Sequence, residues 1–385
     1  MSLTEKIKEL GQEIGFDIIR ITNAENFPQT EKYITESIEK GYIPKNDYHH
    51  KNNYVEKTEH INPNKIAKRC NPKNILKKAK SIINVAQYYL IEEDDNCINN
   101  QEPCGKIARF DIGNFYYEVK LKLKKIIDFI NQETNFKYKS KCKSNYVSLV
   151  EKPIAQRAGI GWYGKNGIIM TEKFGSWVVL GEILTELELD TDEPLQRDCG
   201  DCTICIDSCP TRAIVSPYVI DRTKCLQYIS ERPMKVPLAY RDKWGDRLYG
   251  CTTCQEVCPR NKKLKPIKYR PLLGYIGSKI PLLPLLTMTE EEFKDYFAYK
   301  QIAMRPIEAI KRNAVLALGN IGNPKAIVPL IKTLQEDSNS MVRGHTAWAL
   351  GKIGGKKAKN ALEKVLNLEE EREVREEIIN ALGMF

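Results

Sequence analysis

The sequence predicts three architectures in succession: a mixed α/β domain over residues 1–190, a small loop-rich cysteine domain over 191–265 and, past a linker at 266–300, an all-α repeat over 301–385. Three observations carry this prediction. Helix and strand periodicities alternate through the first half of the chain. Eight of the twelve cysteines fall between Cys199 and Cys258, and one short motif recurs at a constant spacing of 32 residues near the C-terminal end.

Within the first domain, Ser2 and Glu5 form a capping box ahead of Ile7, Leu10 and Ile14 at helical spacing, which Gly15 ends. Phe16 to Ile21 reads as a strand, Glu31 to Lys40 as a polar helix, and 41–63 as a long loop. Ser81 to Leu90 is apolar enough for a buried strand, and Val119 to Ile130 carries an amphipathic helical stripe. Two further strands are expected at Trp177 to Leu180 and Ile183 to Leu187.

In the second domain the cysteines form two sets. Cys199-x2-Cys202-x2-Cys205-x3-Cys209-Pro210 is one; Cys251-x2-Cys254-x3-Cys258-Pro259, with Cys225 upstream, is the other. This is the spacing of a ferredoxin-like two-cluster domain, in which three cysteines of a run hold one 4Fe-4S cube and the fourth reaches the other. By that crossing rule Cys199, Cys202, Cys205 and Cys258 bind one cluster, and Cys209, Cys225, Cys251 and Cys254 the second. Structural zinc sites are the alternative for paired CxxC spacings, and the doubled Cys-Pro ending favours iron and sulfur. Cys70, Cys97, Cys104 and Cys142 are left over and read as free thiols in a reducing compartment.

The third segment repeats itself. Ala317-Leu-Gly-Asn-Ile-Gly322 returns as Ala349-Leu-Gly-Lys-Ile-Gly354 and as Ala381-Leu-Gly383, while Arg312, Arg343 and Arg375 keep nearly the same register. Helix pairs at this period are HEAT-like, and the recurring arginines suit either packing or a binding face.

Composition narrows the function classes. With 42% hydrophobic and 29% charged residues the chain reads as globular, and no apolar run reaches the roughly 18 residues of a membrane span. The charged start has no signal-peptide core, so a cytosolic protein is expected. A net charge of +10 hints at a polyanionic partner, and the stretch 260–270 holds six basic residues and no acidic one. Gly159-Ile-Gly-Trp-Tyr-Gly164-Lys165-Asn166 mimics nucleotide-binding loops, but the residues after Gly164 read extended where a phosphate site needs a helix start. The turn could instead admit a large planar or polar ligand.

Several stretches together resemble the cobalamin-dependent epoxyqueuosine reductases. They are Lys68-Arg69-x-x-Pro72-Lys73, Ala79-Lys-Ser-Ile82, Gln156-Arg-Ala-Gly-x-Gly-Trp-x-Gly-Lys-Asn166, both cysteine runs, Arg247-Leu-Tyr-Gly-Cys251-x-Thr-Cys-Gln255 and Arg343-Gly-x-x-Ala-Trp-Ala-Leu-Gly351. The resemblance implies an α/β N-terminal cobalamin-binding domain and reduction of the epoxide in the queuosine base of tRNA to an alkene. The cobalt would have no protein ligand, in keeping with the missing Asp-x-His-x-x-Gly motif, and the clusters would reduce it. Positions matching the family's corrinoid contacts are Arg69, Ala108, Asn145, Ile169, Leu180, Gln227, Arg232, Cys251 and Thr252. The expected partners are tRNA, met by the HEAT-like repeats and the basic stretch, and an external low-potential electron donor; a monomer away from membranes is expected.

One position departs from the family. Its proton-donating Asp falls here on Asn145, and an amide has no proton to give at neutral pH. The segment Ile112-Gly-Asn-Phe-Tyr-Tyr117 also differs from the family's Trp-Gly-x-Asp-Tyr-His. Tyr116, Tyr117, Tyr146, Cys142 or water would then supply the proton. The alternative is a diverged paralogue that uses the same cofactors on another substrate.

Overall fold

A computed structural model describes residues 1–44, 47–51, 54–58, 63–92, 102–144, 148–268 and 273–385. In chain order its elements are α1 (Leu3–Glu13), β1 (Ile18–Asn23), α2 (Pro28–Glu39), β2 (Asp47–Lys51), β3 (Tyr54–Thr58), α3 (Pro63–Arg69), β4 (Ser81–Tyr88), β5 (Cys104–Ile107), α4 (Phe115–Glu133), β6 (Ser140–Lys143), α5 (Glu151–Arg157), β7 (Trp162–Tyr163), β8 (Ile169–Met170) and β9 (Val178–Thr185). The cysteine region adds α6 (Ile204–Asp207), β10 (Ile214–Ser216), β11 (Val219–Ile220), α7 (Leu226–Ser230), α8 (Leu238–Trp244), β12 (Arg247–Tyr249), α9 (Thr253–Glu256) and α10 (Pro259–Lys262). Then follow β13 (Lys279–Pro281), α11 (Glu290–Tyr296), α12 (Ile307–Ile321), α13 (Ile327–Glu336), α14 (Ser340–Ile353), α15 (Lys356–Leu366) and α16 (Arg372–Leu382).

The first half is built on a four-stranded antiparallel sheet in the order β1-β4-β9-β6. Alternation along β4 and β9 gives the sheet two covered faces. Ile83, Val85, Val179 and Ile183 pack with Val119, Leu123 and Ile126 of α4 on one side. On the other, Ile82 and Leu184 meet Ile154 of α5, and Ala86 and Leu180 meet Ala155, Ala158 and Ile169. The two strands expected around residues 177–187 are one uninterrupted strand, β9, because Gly181 lets Val119 and Leu123 press against the sheet. Part of the stretch expected as loop at 41–63 is the β2/β3 hairpin.

A smaller sheet joins the segments. β5 pairs in parallel with β12 of the cysteine region and antiparallel with β13. The linker expected at 266–300 is therefore not one: β13 completes this sheet, Thr289 and Glu292 form a capping box on α11, and Leu282, Leu285, Phe293 and Phe297 are buried. One core runs from Leu226 in α7 through these residues to Ala381 in α16, so cysteine region and helical repeat share their hydrophobic interior.

In the repeat, α12, α14 and α16 stack on one another. A Cβ on Gly319 would lie 2.8 Å from Trp348 and 3.0 Å from Ala349, and one on Gly351 would lie 2.9 Å from the Ala381 carbonyl oxygen. The glycine of the recurring Ala-Leu-Gly thus lets the next helix approach. Cys104 is disulfide-bonded, contrary to its reading as a free thiol, while Cys70 and Cys142 are free and Cys97 lies outside the described residues.

Candidate redox site

Asp198 opens the first cysteine loop by accepting from the Gly200 amide at 2.7 Å, Gly200 takes a left-handed φ of 52°, and the Lys165 ammonium donates to the Gly200 carbonyl. The nucleotide-loop look-alike is thus an anchor: β7 and β8 form a hairpin, and its lysine braces the cysteine loop. A Cβ on Gly161 would collide with the Met170 carbonyl, so this turn serves backbone packing and not ligand entry. The second loop is braced from below by Gln255, whose amide donates to the Ser176 carbonyl and hydroxyl and to the Tyr89 hydroxyl.

The thiols of the two runs lie close enough to act on one another. Burial, then Cys199, Cys202 and Cys258, push up the Cys205 thiol. Burial, then Cys251 and Cys225, push up Cys254, with weaker effects of Cys205 and Cys209. Cys225 is raised by burial and by Cys251 and Cys209.

On the α5 side of the β4/β9 sheet, Glu151 is the charge that several neighbouring groups share. This carboxylate acts on Arg69, Tyr116, Lys152 and Glu182 alike. Desolvation, then Arg222, lowers the Lys152 ammonium, which also feels Cys254 and Cys225 and donates to the Gly167 carbonyl at 2.9 Å. Burial first, and Glu151 after it, raise the Tyr116 hydroxyl well above its ordinary value, so it stays protonated. Glu182 is raised in the same way, by burial and then Glu151. One of its carboxyl oxygens accepts from Asn84 at 3.0 Å; the other has no hydrogen-bond partner among the described residues. Among the same residues, Arg69 Nε and the Asn84 carbonyl oxygen are also left without a hydrogen-bond partner, and so, on the α4 side of the sheet, is the Gln87 amide nitrogen.

The sequence-derived contacts lie in more than one place. Ile169 and Leu180 are buried in the apolar patch beside α5, and Arg69 ends α3. Ala108, Cys251 and Thr252 line a groove of about 400 Å³ together with Arg109, Arg247 and Gly250. Gln227 accepts from the Cys251 amide at 3.1 Å, and Arg232 stacks on Tyr228 with its centre 4.1 Å from the ring. Tyr117 is exposed on α4, and Cys142 packs against the α4 face of the sheet, so neither is on the α5 side. Asn145 and Tyr146 lie outside the described residues. Glu182 escaped the sequence reading because it sits in an otherwise apolar strand; a lone acid in a run such as Val178 to Leu184 is its signal.

The repeated arginines do not line a binding face. Arg312 is fully buried, donates to the carbonyls of Ile229, Arg232 and Met234, and is lowered to about 9 by desolvation. Arg343 clamps Glu369 with two bonds of 2.8 Å, and Arg375 donates to the carbonyls of Leu366 and Glu369. The basic stretch is different: Arg260, Lys262, Lys263, Lys265 and Lys268 are exposed, while Arg270 lies outside the described residues.

Two cysteine sets at the spacing of a two-cluster ferredoxin define an iron–sulfur oxidoreductase. Residues 198–261 match the model of a 4Fe-4S double cluster binding domain, 300–383 that of HEAT repeats, and 69–144 that of epoxyqueuosine reductase QueG, DUF1730. The chain is 33% identical to the epoxyqueuosine reductase of Bacillus subtilis, with 100% of this chain and 96% of the relative covered, and 33% identical to that of Staphylococcus aureus, with 99% and 96% covered. An epoxyqueuosine reductase solved with an epoxyqueuosine-modified tRNA-Tyr stem loop superimposes with a TM-score of 0.87 at 32% identity, over 99% of this chain and 98% of that one. A Bacillus subtilis structure, at the same score and identity over 100% and 99%, has its catalytic aspartate loop swung out of the active site. The chain belongs to the epoxyqueuosine reductase family.

Proposed function

We propose that this protein reduces the epoxide of epoxyqueuosine in tRNA to an alkene, a reaction that takes up two electrons and two protons and releases water. The observation that carries the reading is the pair of cysteine sets, one of which shares the groove at Cys251 and Thr252 with Ala108. Cys199, Cys202, Cys205 and Cys258 would hold the outer cluster, and Cys209, Cys225, Cys251 and Cys254 the inner one. Arg69, Ala108, Ile169, Leu180, Gln227, Arg232, Cys251 and Thr252 would surround a cobalamin. When bound, that cofactor supplies a strongly reducing cobalt centre.

The protein's own part is proton supply and positioning. Burial first, and Glu151 after it, raise both the Tyr116 hydroxyl and the Glu182 carboxyl, which favours their protonated forms. Asn145, at the family's aspartate position, would orient substrate through its amide. The exposed strip from Arg260 to Lys268 would meet the tRNA backbone, where charge supplies most of the affinity. A monomer in the cytoplasm, fed by a low-potential carrier, completes the reading. Among the described residues no helix is long and apolar enough to cross a membrane.

Anaerobically reconstituted, cobalamin-loaded protein should convert an epoxyqueuosine-containing anticodon stem–loop to the queuosine form under dithionite, read by nucleoside mass spectrometry. No conversion with both cofactors in place would overturn the reading. If Asn145→Asp alone then restored turnover, the paralogue would be the better account.

A further inference from the structure

The two cysteine sets differ in how they meet solvent: Cys202 of the first is exposed, whereas every cysteine of the second is half-buried. Electron tunnelling weakens steeply with distance, so a carrier must approach from the side of Cys199 and Cys202.

On that side lies a groove of about 1010 Å³, distinct from the one at Cys251 and Thr252. Its wall includes Cys199 and Gly200 themselves, with Phe27, Pro153, Pro194 and Leu195 as its apolar part. Arg157, Arg197 and Arg260 bring three cations to the wall; Arg197 is paired with Glu172 at 3.3 Å, and Asp198 is engaged with the Gly200 amide, so the balance at the wall is still positive. Arg157 is stacked on Phe27, 3.8 Å from its ring centre, and donates to the carbonyls of Asn23 and Glu25 and to the Thr22 hydroxyl, which fixes its cation at the groove wall. Arg260 lies over the Trp162 ring at 4.9 Å. Exposed Ile204 and Tyr218 extend the apolar surface around the same cysteine loop.

A largely polar groove with a few apolar side chains and arginines at its wall, reaching a cysteine of the first set, fits the acidic face of a small protein carrier whose redox group lies at its surface. We infer that this groove is the docking site for an acidic one-electron carrier protein, which delivers electrons singly to the outer cluster. In each encounter the carrier is oxidised by one electron and the cluster reduced by one; two encounters supply one catalytic cycle. The inference rests on the reductase reading above and adds to it the place and charge of the donor.

Reduced flavodoxin serves as the probe, with dithionite as a small reductant that needs no docking. Bleaching of cluster absorbance in the reconstituted full chain is followed by stopped flow at several salt concentrations. Gln196→Glu with Arg197→Glu, two exposed side chains on the groove wall, should slow reduction by flavodoxin about tenfold or more and flatten its salt dependence, leaving the dithionite rate unchanged. Equal flavodoxin rates in variant and parent would overturn the inference. So would protection of the clusters from flavodoxin by a saturating anticodon stem–loop that leaves dithionite reduction intact, since the groove would then belong to nucleic acid. Failure of dithionite itself to reduce the clusters of the parent protein would count against the redox reading, not against the docking site alone.

Discussion

By the resemblance, Asn145 stands where the family has its proton-donating Asp, and we propose that Glu182, a buried acid on the strand paired with β6, makes up the loss. Lys143, two residues before Asn145, is the register partner of Glu182 across β6 and β9. Glu182→Gln keeps the shape and the Asn84 contact but removes the proton. It should lower kcat about tenfold or more with little change in corrinoid affinity, and remove the alkaline limb of the pH–rate profile. Tyr116→Phe tests the other proton-bearing group in the same assay. Asn145→Asp should raise kcat and add a second titration to the profile; an unchanged profile would show that this position no longer touches the chemistry. The amide was plain from sequence, because the surrounding motif fixed the register. Glu182 was not, since only the three-dimensional pairing of β6 with β9 brings it near that loop.

Among the elements, the helical repeat separates packing from function most cleanly. Its period gave the helix pairs, but the arginines within it proved structural: a sequence repeat records what each layer needs, and each layer needs its carbonyls satisfied. Gly351→Leu would drive a side chain into the Ala381 backbone and should cost roughly 2 kcal/mol or more, whereas Gly383→Ala, with no following helix, should be nearly neutral by thermal melting. His345 shows why an isolated histidine in the sequence was no ligand. It is buried between the Val236 amide, which donates to Nε2 at 3.0 Å, and the Met341 carbonyl. Burial, with Arg241 and Arg312, holds its pKa down to about 3 against an ordinary 6.5.

The unfolded chain therefore binds a proton at His345 that the folded chain refuses, and the stability in question is full above pH 6.5 and is lost as pH falls toward 3. At most about 1.4 kcal/mol per pH unit is at stake. Melting curves between pH 6.5 and 5 should show a falling midpoint in the parent and a shallower fall in His345→Gln. Glu377 is pushed up by burial but lowered overall by Arg241 and Lys235, so its own loss comes only in stronger acid, as pH falls below 4.5. An equal slope in parent and variant would assign the acid sensitivity elsewhere.

For the whole molecule, the β12-β5-β13 sheet explains why the expected linker was misread. Short strands of three or four residues pair across long sequence separations and leave little periodic trace. The cysteine spacing, by contrast, was legible because ligand geometry acts locally on the chain. The resulting single body carries the basic strip on its surface. Replacing Lys262 and Lys263 by Gln should weaken stem–loop binding and reduce the slope of log K against log salt by about 0.7 to 0.9 per lost phosphate contact, with cluster content unchanged.

The account's central claim is that two iron–sulfur clusters feed a corrinoid bound by the same chain. EPR-monitored reductive titration of the anaerobic, cobalamin-loaded chain tests it most directly. The account predicts about eight irons per chain, signals from two reduced clusters, and loss of the cobalt(II) signal as reduction proceeds through them. Zinc in place of iron, or a cobalt signal identical to that of free cobalamin and indifferent to the state of the clusters, would contradict it.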